Sequence, residues 1–155
     1  MGGDQEKSRR ASTQNVVGAV GLAKAVELCQ TRMNEEIIIQ KKFRDQLFEE
    51  ILKRIPGVRV NGHLTQRLPH NAHFSFEKIS GEALLMSLDM IGIAASMGSA
   101  WTSGAMEPSH VLRAIGLSDE LALGSLRITL GRWTTQEEID CLLEKLPGIV
   151  ASLRS

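Results

Sequence analysis

From Gln14 to about Ile55 the chain contains no proline, and its apolar residues recur at helical spacing. Val16, Val20 and Ala23 set one stretch of the pattern, and Phe43, Leu47, Ile51 and Ile55, each four residues after the last, set a second. Pro56 is the first proline of the sequence. At about 1.5 Å per residue an unbroken helix of this length spans on the order of 60 Å, more than a small domain is wide. Part of it is therefore expected to project, or to pack on something outside the core that the remaining residues build. The alternative is a pair of helices joined near Met33 to Ile39.

After the helix the pattern changes period. "PGVRVNG" gives a proline–glycine turn, a short alternating strand and an Asn-Gly turn at Asn61 and Gly62, and "AHFSFEKI" reads as a second strand. Ser80 is placed to cap a helix whose apolar stripe is Leu84, Leu85, Leu88 and Ile91. "IAAS" predicts a short strand, and "PSHVLRAIGL" a helix with Pro108 in its first turn and Gly116 at its stop. "GSLRITLG" predicts a strand with Leu126, Ile128 and Leu130 on one face and Arg127 and Thr129 on the other. Thr134 or Thr135 caps a last helix, with Glu137 and Glu138 in its first turn and Ile139, Leu142, Leu143 and Leu146 inward, and Pro147 is expected to end or kink it. Short strands separated by helices predict an α+β domain whose small, mostly antiparallel sheet is covered by helices on one face. Three stretches follow: residues 1–13, polar and irregular; 14–55, the long helix or helix pair; and 56–155, the α+β domain.

Composition removes several function classes. Lys plus Arg and Asp plus Glu are equal at 18 each, and no basic stripe interleaved with aromatics runs along the chain, so nucleic acid is not an expected partner. Cys29 and Cys141 belong to no CxxC or Cys/His ligand spacing, which argues against a disulfide framework or a zinc site and suits a reducing cytoplasm. The first ten residues lack the apolar core of a signal peptide, and no apolar run approaches the ~18 residues of a membrane span. A soluble chain is expected, with no membrane partner.

The stretch "SMGSAWTSGAMEPSH", residues 96–110, carries contrary signals. Its glycines and hydroxyls suit a loop that moves or admits a ligand, whereas Trp101 at its middle suits a buried plug or an anchor for another protein. Ser96, Ser99, Thr102 and Ser103 supply hydroxyls, and His110 is the one local base, so a Ser–His pair competes with plain loop capping, which accounts better for the pattern. His63, His70 and His73 cluster without a carboxylate at ligand spacing, which disfavours a metal site. Cys29 and Cys141 fall in helices and read as structural.

The stretches "GGDQEKSRRASTQNV", "RLPHNAHFSF", "SGEALLMSLD", "SMGSAWTSGAMEPSHVLRAIGLSDELALGSLRITLGR" and "TTQEEID", in this order, resemble the carboxy-terminal, small-domain portion of the pyridoxal-phosphate-dependent cysteine desulfurases of the class V aminotransferase type. The resemblance implies the small domain of a fold-type I enzyme preceded by the helix that links it to a large cofactor-binding domain. It implies sulfur removal from L-cysteine to give L-alanine and a persulfide for iron–sulfur cluster or thio-cofactor assembly. In that family a loop cysteine within S-x-G-S-A-C-T-S takes the sulfur, and here Trp101 holds its position. A lysine following a histidine holds the cofactor as a Schiff base, and no His-Lys pair occurs among these residues. Arg127 matches the arginine that grips the substrate carboxylate, work suited to a bidentate guanidinium. Thr13 matches the threonine that reaches the cofactor phosphate of the partner subunit, although Asp4, Ser8 and Ser12 stand where the family usually has glycines and Lys7 where it usually has arginine.

An indole neither ionises usefully nor carries a persulfide, so the expectation is a chain inactive by itself that binds no pyridoxal phosphate alone. Two other expectations stand beside it: a small subunit completed in trans by a large-domain partner chain, and a non-catalytic interaction module that uses the Trp101 loop, toward a sulfur acceptor or scaffold protein. The apolar residues of 16–39 further predict a homodimer through the long helices.

Overall fold

The computed structural model describes residues 3, 5–97 and 107–155. Asp4 and the loop residues Ser99, Trp101, Thr102 and Ser103 lie outside the described residues. The chain divides into two compact units, Met1–Glu36 and Ile37–Ser155.

In the first unit a single turn, α1 (Gln5–Ser8), has left-handed backbone at Glu6, Lys7 and Ser8, with φ of 53°, 58° and 65°. Arg10 organises the turn that follows. Its Nη1 donates to the carbonyls of Ala11, Ser12 and Thr13 at 3.3, 2.7 and 3.4 Å, and its Nη2 reaches Gln14, whose amide in turn donates to Glu6 at 2.6 Å. The long helix α2 (Val16–Arg54, 39 residues) then begins, with the Asn15 side chain accepting from the Gly18 N–H at 2.9 Å. The sequence left one helix or two open, and one is found. Within this unit its apolar residues face solvent, Val17 being 84% exposed.

The second unit starts inside α2. Phe43, Leu47, Phe48 and Ile51, at alternating steps of four, one and three, form a buried stripe that ends at Ile55. The sheet has the order β1-β2-β3, built from β1 (Val58–Val60), β2 (Asn71–Phe76) and β3 (Ser125–Thr129), antiparallel throughout. Its register sets Val58 opposite Phe76, Val60 opposite Phe74 and Phe74 opposite Leu126, so one face is continuously apolar. That face joins α2 to Leu84 and Leu88 of α3 (Gly81–Asp89) and to Ile139, Leu142, Leu146 and Val150 of α6 (Gln136–Arg154) in one core. Two short helices, α4 (His110–Ala114) and α5 (Asp119–Leu123), hold a small second cluster of Leu112, Leu117 and Ala122. The architecture is α+β with a small antiparallel sheet.

Several local expectations change on contact with the structure. "IAAS" is no strand: only Ser96 pairs, as a single antiparallel bridge to Arg127. Pro108 precedes α4, which starts at His110, while Gly116 beyond its end takes the φ of 88° that a glycine tolerates. Thr135, not Thr134, caps α6, in a reciprocal box with Glu138. Pro147 does not end α6, which continues to Arg154. The proline lacks the N–H that would bond the Leu143 carbonyl one turn back, and Arg54 supplies the missing donor to that oxygen at 3.1 Å. With Leu146 and Val150 buried on either side of it, the helix holds. Among the described residues no helix is long and apolar enough to cross a membrane.

Candidate functional site

The face of the sheet opposite the core carries the polar chemistry. Alternation along β3 leaves Leu126 and Ile128 buried in the core and Arg127 half-buried on the other side. The register places Arg127 directly across from His73 on β2. Both backbone polar groups of Arg127 are turned away from β2, its N–H donating to the Ser96 carbonyl at 2.6 Å and its carbonyl accepting from the Ser96 N–H at 3.0 Å. The His73 carbonyl is turned the other way and accepts from the Asn61 N–H at 2.9 Å. His73 and Arg127 are thus a non-hydrogen-bonded antiparallel pair, the arrangement that brings opposed residues closest, with Cα atoms about 4.5 Å apart. A row of Asn61, His73, Arg127 and Ser96 crosses the sheet at one level.

Asn61 fixes the histidine. Its side-chain amide donates to His73 Nδ1 at 2.8 Å and to Ser75 Oγ at 2.8 Å, and Asn61 itself is only 3% exposed. With Nδ1 accepting, the proton of the neutral ring sits on Nε2. Behind Asn61 stands Arg67, whose guanidinium donates to the Asn61 carbonyl at 3.0 Å and to the Asn71 side chain at 3.2 Å while lying 4.9 Å from the centre of the Phe48 ring. Burial, together with the charge of Arg44, holds the Arg67 guanidinium below its usual range. Burial first, then the charges of Arg127 and Arg67, push the His73 imidazole down to about 4, so it is neutral at pH 7.

The other residues singled out in the sequence are dispersed. Thr13 belongs to the first unit, where its carbonyl accepts from Arg10. His110 opens α4 and is exposed. His63 uses Nδ1 within its own loop, accepting from the Thr65 and Gln66 N–H groups at 3.1 and 2.9 Å. Among the described residues no group of three His, Cys, Asp or Glu side chains could hold a metal ion. Cys29 and Cys141 are exposed free thiols, and Cys141 rims an apolar groove of about 380 Å³ lined by Ile93, Ile128 and Ile139. The row itself contains no lysine and no cysteine. Its chemistry suits an oxyanion: a guanidinium fork beside a neutral imidazole N–H. It does not fit covalent attachment of an aldehyde cofactor, which needs an amine.

Sequence reading identified Arg127 but took Asn61 for a turn residue and His73 for a weak metal candidate. The signal that joins them is the register of three strands, which no local pattern carries.

The profile of the family described as aminotransferase class-V matches residues 3–142. A cysteine desulfurase of Nostoc sp. is 49% identical over 155 residues, covering 100% of this chain and 39% of the relative. A cysteine desulfurase IscS of Methanosarcina thermophila is 51% identical over 154 residues, covering 99% of this chain and 38% of the relative. Among solved structures, a NifS-like protein superposes with a TM-score of 0.82 at 33% identity, over 98% of this chain and 38% of that one. The chain spans about two fifths of the length of the curated relatives it matches. A putative sugar aminotransferase of Streptococcus pneumoniae in its PLP-form shares the fold, with a TM-score of 0.61 at 14% identity.

Proposed function

This chain belongs to the class-V aminotransferase family, and from that premise we propose that it supplies the carboxylate-recognising part of a cysteine-desulfurase-like site while making none of the site's covalent bonds itself. What supports the reading is the placement of Arg127: half-buried, on the polar face, beside a histidine held neutral, and bridged to Ser96 two residues before the segment 98–106 that carries Trp101. A planar guanidinium suits the grip of a carboxylate in two parallel hydrogen bonds, which fixes the orientation of the bound amino acid. Pyridoxal phosphate, in enzymes of this kind, supplies the electron-withdrawing ring on which the amino acid is activated. With no lysine on the row and Trp101 where the resemblance puts the sulfur-accepting cysteine, neither the cofactor's anchor nor the persulfide falls to these residues.

A second reading, completion by a large-domain polypeptide outside these residues, is favoured by the solvent-facing Val16, Val17, Val20, Leu22 and Val26 of α2, an apolar run that a partner would cover. One assay separates the two. The chain is mixed with pyridoxal phosphate and L-cysteine, and both the visible absorption of protein-bound cofactor and the release of sulfide are followed. No bound-cofactor band and no sulfide are expected from the chain alone. A band and turnover would sink the first reading. A cofactor band whose response to L-cysteine requires both the chain and an added family large domain would select the second, sulfide release not being expected with Trp101 at the cysteine's position.

A further inference from the structure

We propose that His73 is a second donor to the carboxylate that Arg127 receives, its Nε2–H and the Arg127 guanidinium closing on one oxyanion from adjacent strands. The inference deepens the reading of Arg127 given above and rests on it. Three features of the site lead to it. The non-hydrogen-bonded pairing brings the two side chains side by side on the polar face, where no backbone bond separates them. The Asn61 amide, 2.8 Å from Nδ1, occupies the acceptor end of the ring and leaves only the N–H end free to act. Asn61 cannot swing away, because it is buried, donates also to Ser75, and is held from behind by Arg67. The ring is therefore fixed in one tautomer and one orientation, as a preorganised donor has to be.

The charges around the ring are of one sign. Arg127 faces it from β3, Arg67 from the loop before β2, and Arg59 of β1 stands one register step away opposite Ser75. On α5, which packs against β2, Asp119 is engaged by Arg113 at 2.6 and 2.8 Å and Glu120 is exposed. A buried imidazole among cations stays neutral, so it donates a hydrogen bond without bringing a further charge that the empty site would have to tolerate. A bound carboxylate reverses the local field and favours the proton on His73.

The test is long-range proton–nitrogen NMR on the full, nitrogen-15-labelled chain, following the His73 ring nitrogens and Arg127 Nε through a pH titration. L-cysteine is the probe, and cysteamine, the same molecule without its carboxylate, is the control. L-cysteine is expected to move both Arg127 Nε and His73 Nε2 and to raise the His73 midpoint by about one unit, while cysteamine moves neither. In His73→Leu the L-cysteine affinity read at Arg127 Nε is expected to fall about tenfold, and in His73→Asn, which keeps a neutral donor, to recover in part. Movement at Arg127 Nε with a silent His73 overturns the inference and leaves the carboxylate role of Arg127 standing. Silence at both nuclei overturns the two together. The wild-type spectra decide these outcomes even if neither variant folds.

Discussion

Both halves of α2 carry apolar residues at helical spacing, and they meet opposite fates. Before Glu36 the valines and leucines face solvent; after Ile37, Phe43, Leu47, Phe48 and Ile51 are sealed into the core of the second unit. Helical periodicity tells which side of a helix is apolar but not what that side meets. In the second half the sheet and α6 supply the partner, and in the first half nothing among the described residues of its own unit does. Stability should therefore be distributed very unevenly along one continuous helix, and truncations on either side of residue 36 measure how unevenly.

The largest effect is expected at the centre of the second unit. Phe74 is fully buried on the middle strand and meets the Phe48 ring edge-on at 5.7 Å. Phe74→Ala should cost about 3–5 kcal/mol in urea unfolding, enough to consume much of the stability of a domain this size. A loss below about 1 kcal/mol would mean that this core is not the part of the chain that holds it together.

The next effect concerns the polar face. Folded His73 stays neutral down to about pH 4, whereas in the unfolded chain it takes a proton near 6.5. The unfolded state thus binds the extra proton across that window, and stability falls as pH drops from about 6.5 to about 4, by about 3 kcal/mol at the lower end. His73→Asn removes the titration, so the difference between its stability and that of the wild type, measured by urea unfolding at pH 7 and at pH 4, should shrink or reverse as the solution is acidified. A difference that does not vary with pH would show that the ring is already hydrated in the folded state.

These two sites also mark how much the sequence disclosed. The strand that carries Phe74 was legible, because "AHFSFEKI" alternates apolar and polar residues. So was the split between Leu126 and Ile128 on one side of β3 and Arg127 on the other. The row that gives Arg127 its company was not, since Asn61 and His73 are twelve residues apart and reach Arg127 only through strand pairing more than fifty residues away. Pro147 shows the same limit from the other direction. The rule that a proline stops a helix was correct about the lost hydrogen bond, and the replacement donor, Arg54, comes from α2, 89 residues before the Leu143 it serves. The helix α5 was overlooked because five residues carry too little periodicity to register, although Ser118, which accepts from the Leu121 N–H, followed by Asp119 and Glu120, is an N-terminal signature.

The smallest expected effect is the one that sharpens the contrast most. Val20, 64% exposed on the first half of α2, contributes little to a lone chain, and Val20→Ala should change unfolding stability by no more than about 0.5 kcal/mol. Leu47→Ala, on the same helix but 0% exposed, should cost about 2–5 kcal/mol. The comparison is made at several protein concentrations. If the exposed stripe is covered by a second copy of the chain in solution, the cost of Val20→Ala will grow as concentration rises, because association stabilises the folded state by mass action and the substitution weakens it. A cost that stays small and independent of concentration leaves the stripe uncovered by copies of this chain, and the dimer expected from the sequence is then overturned.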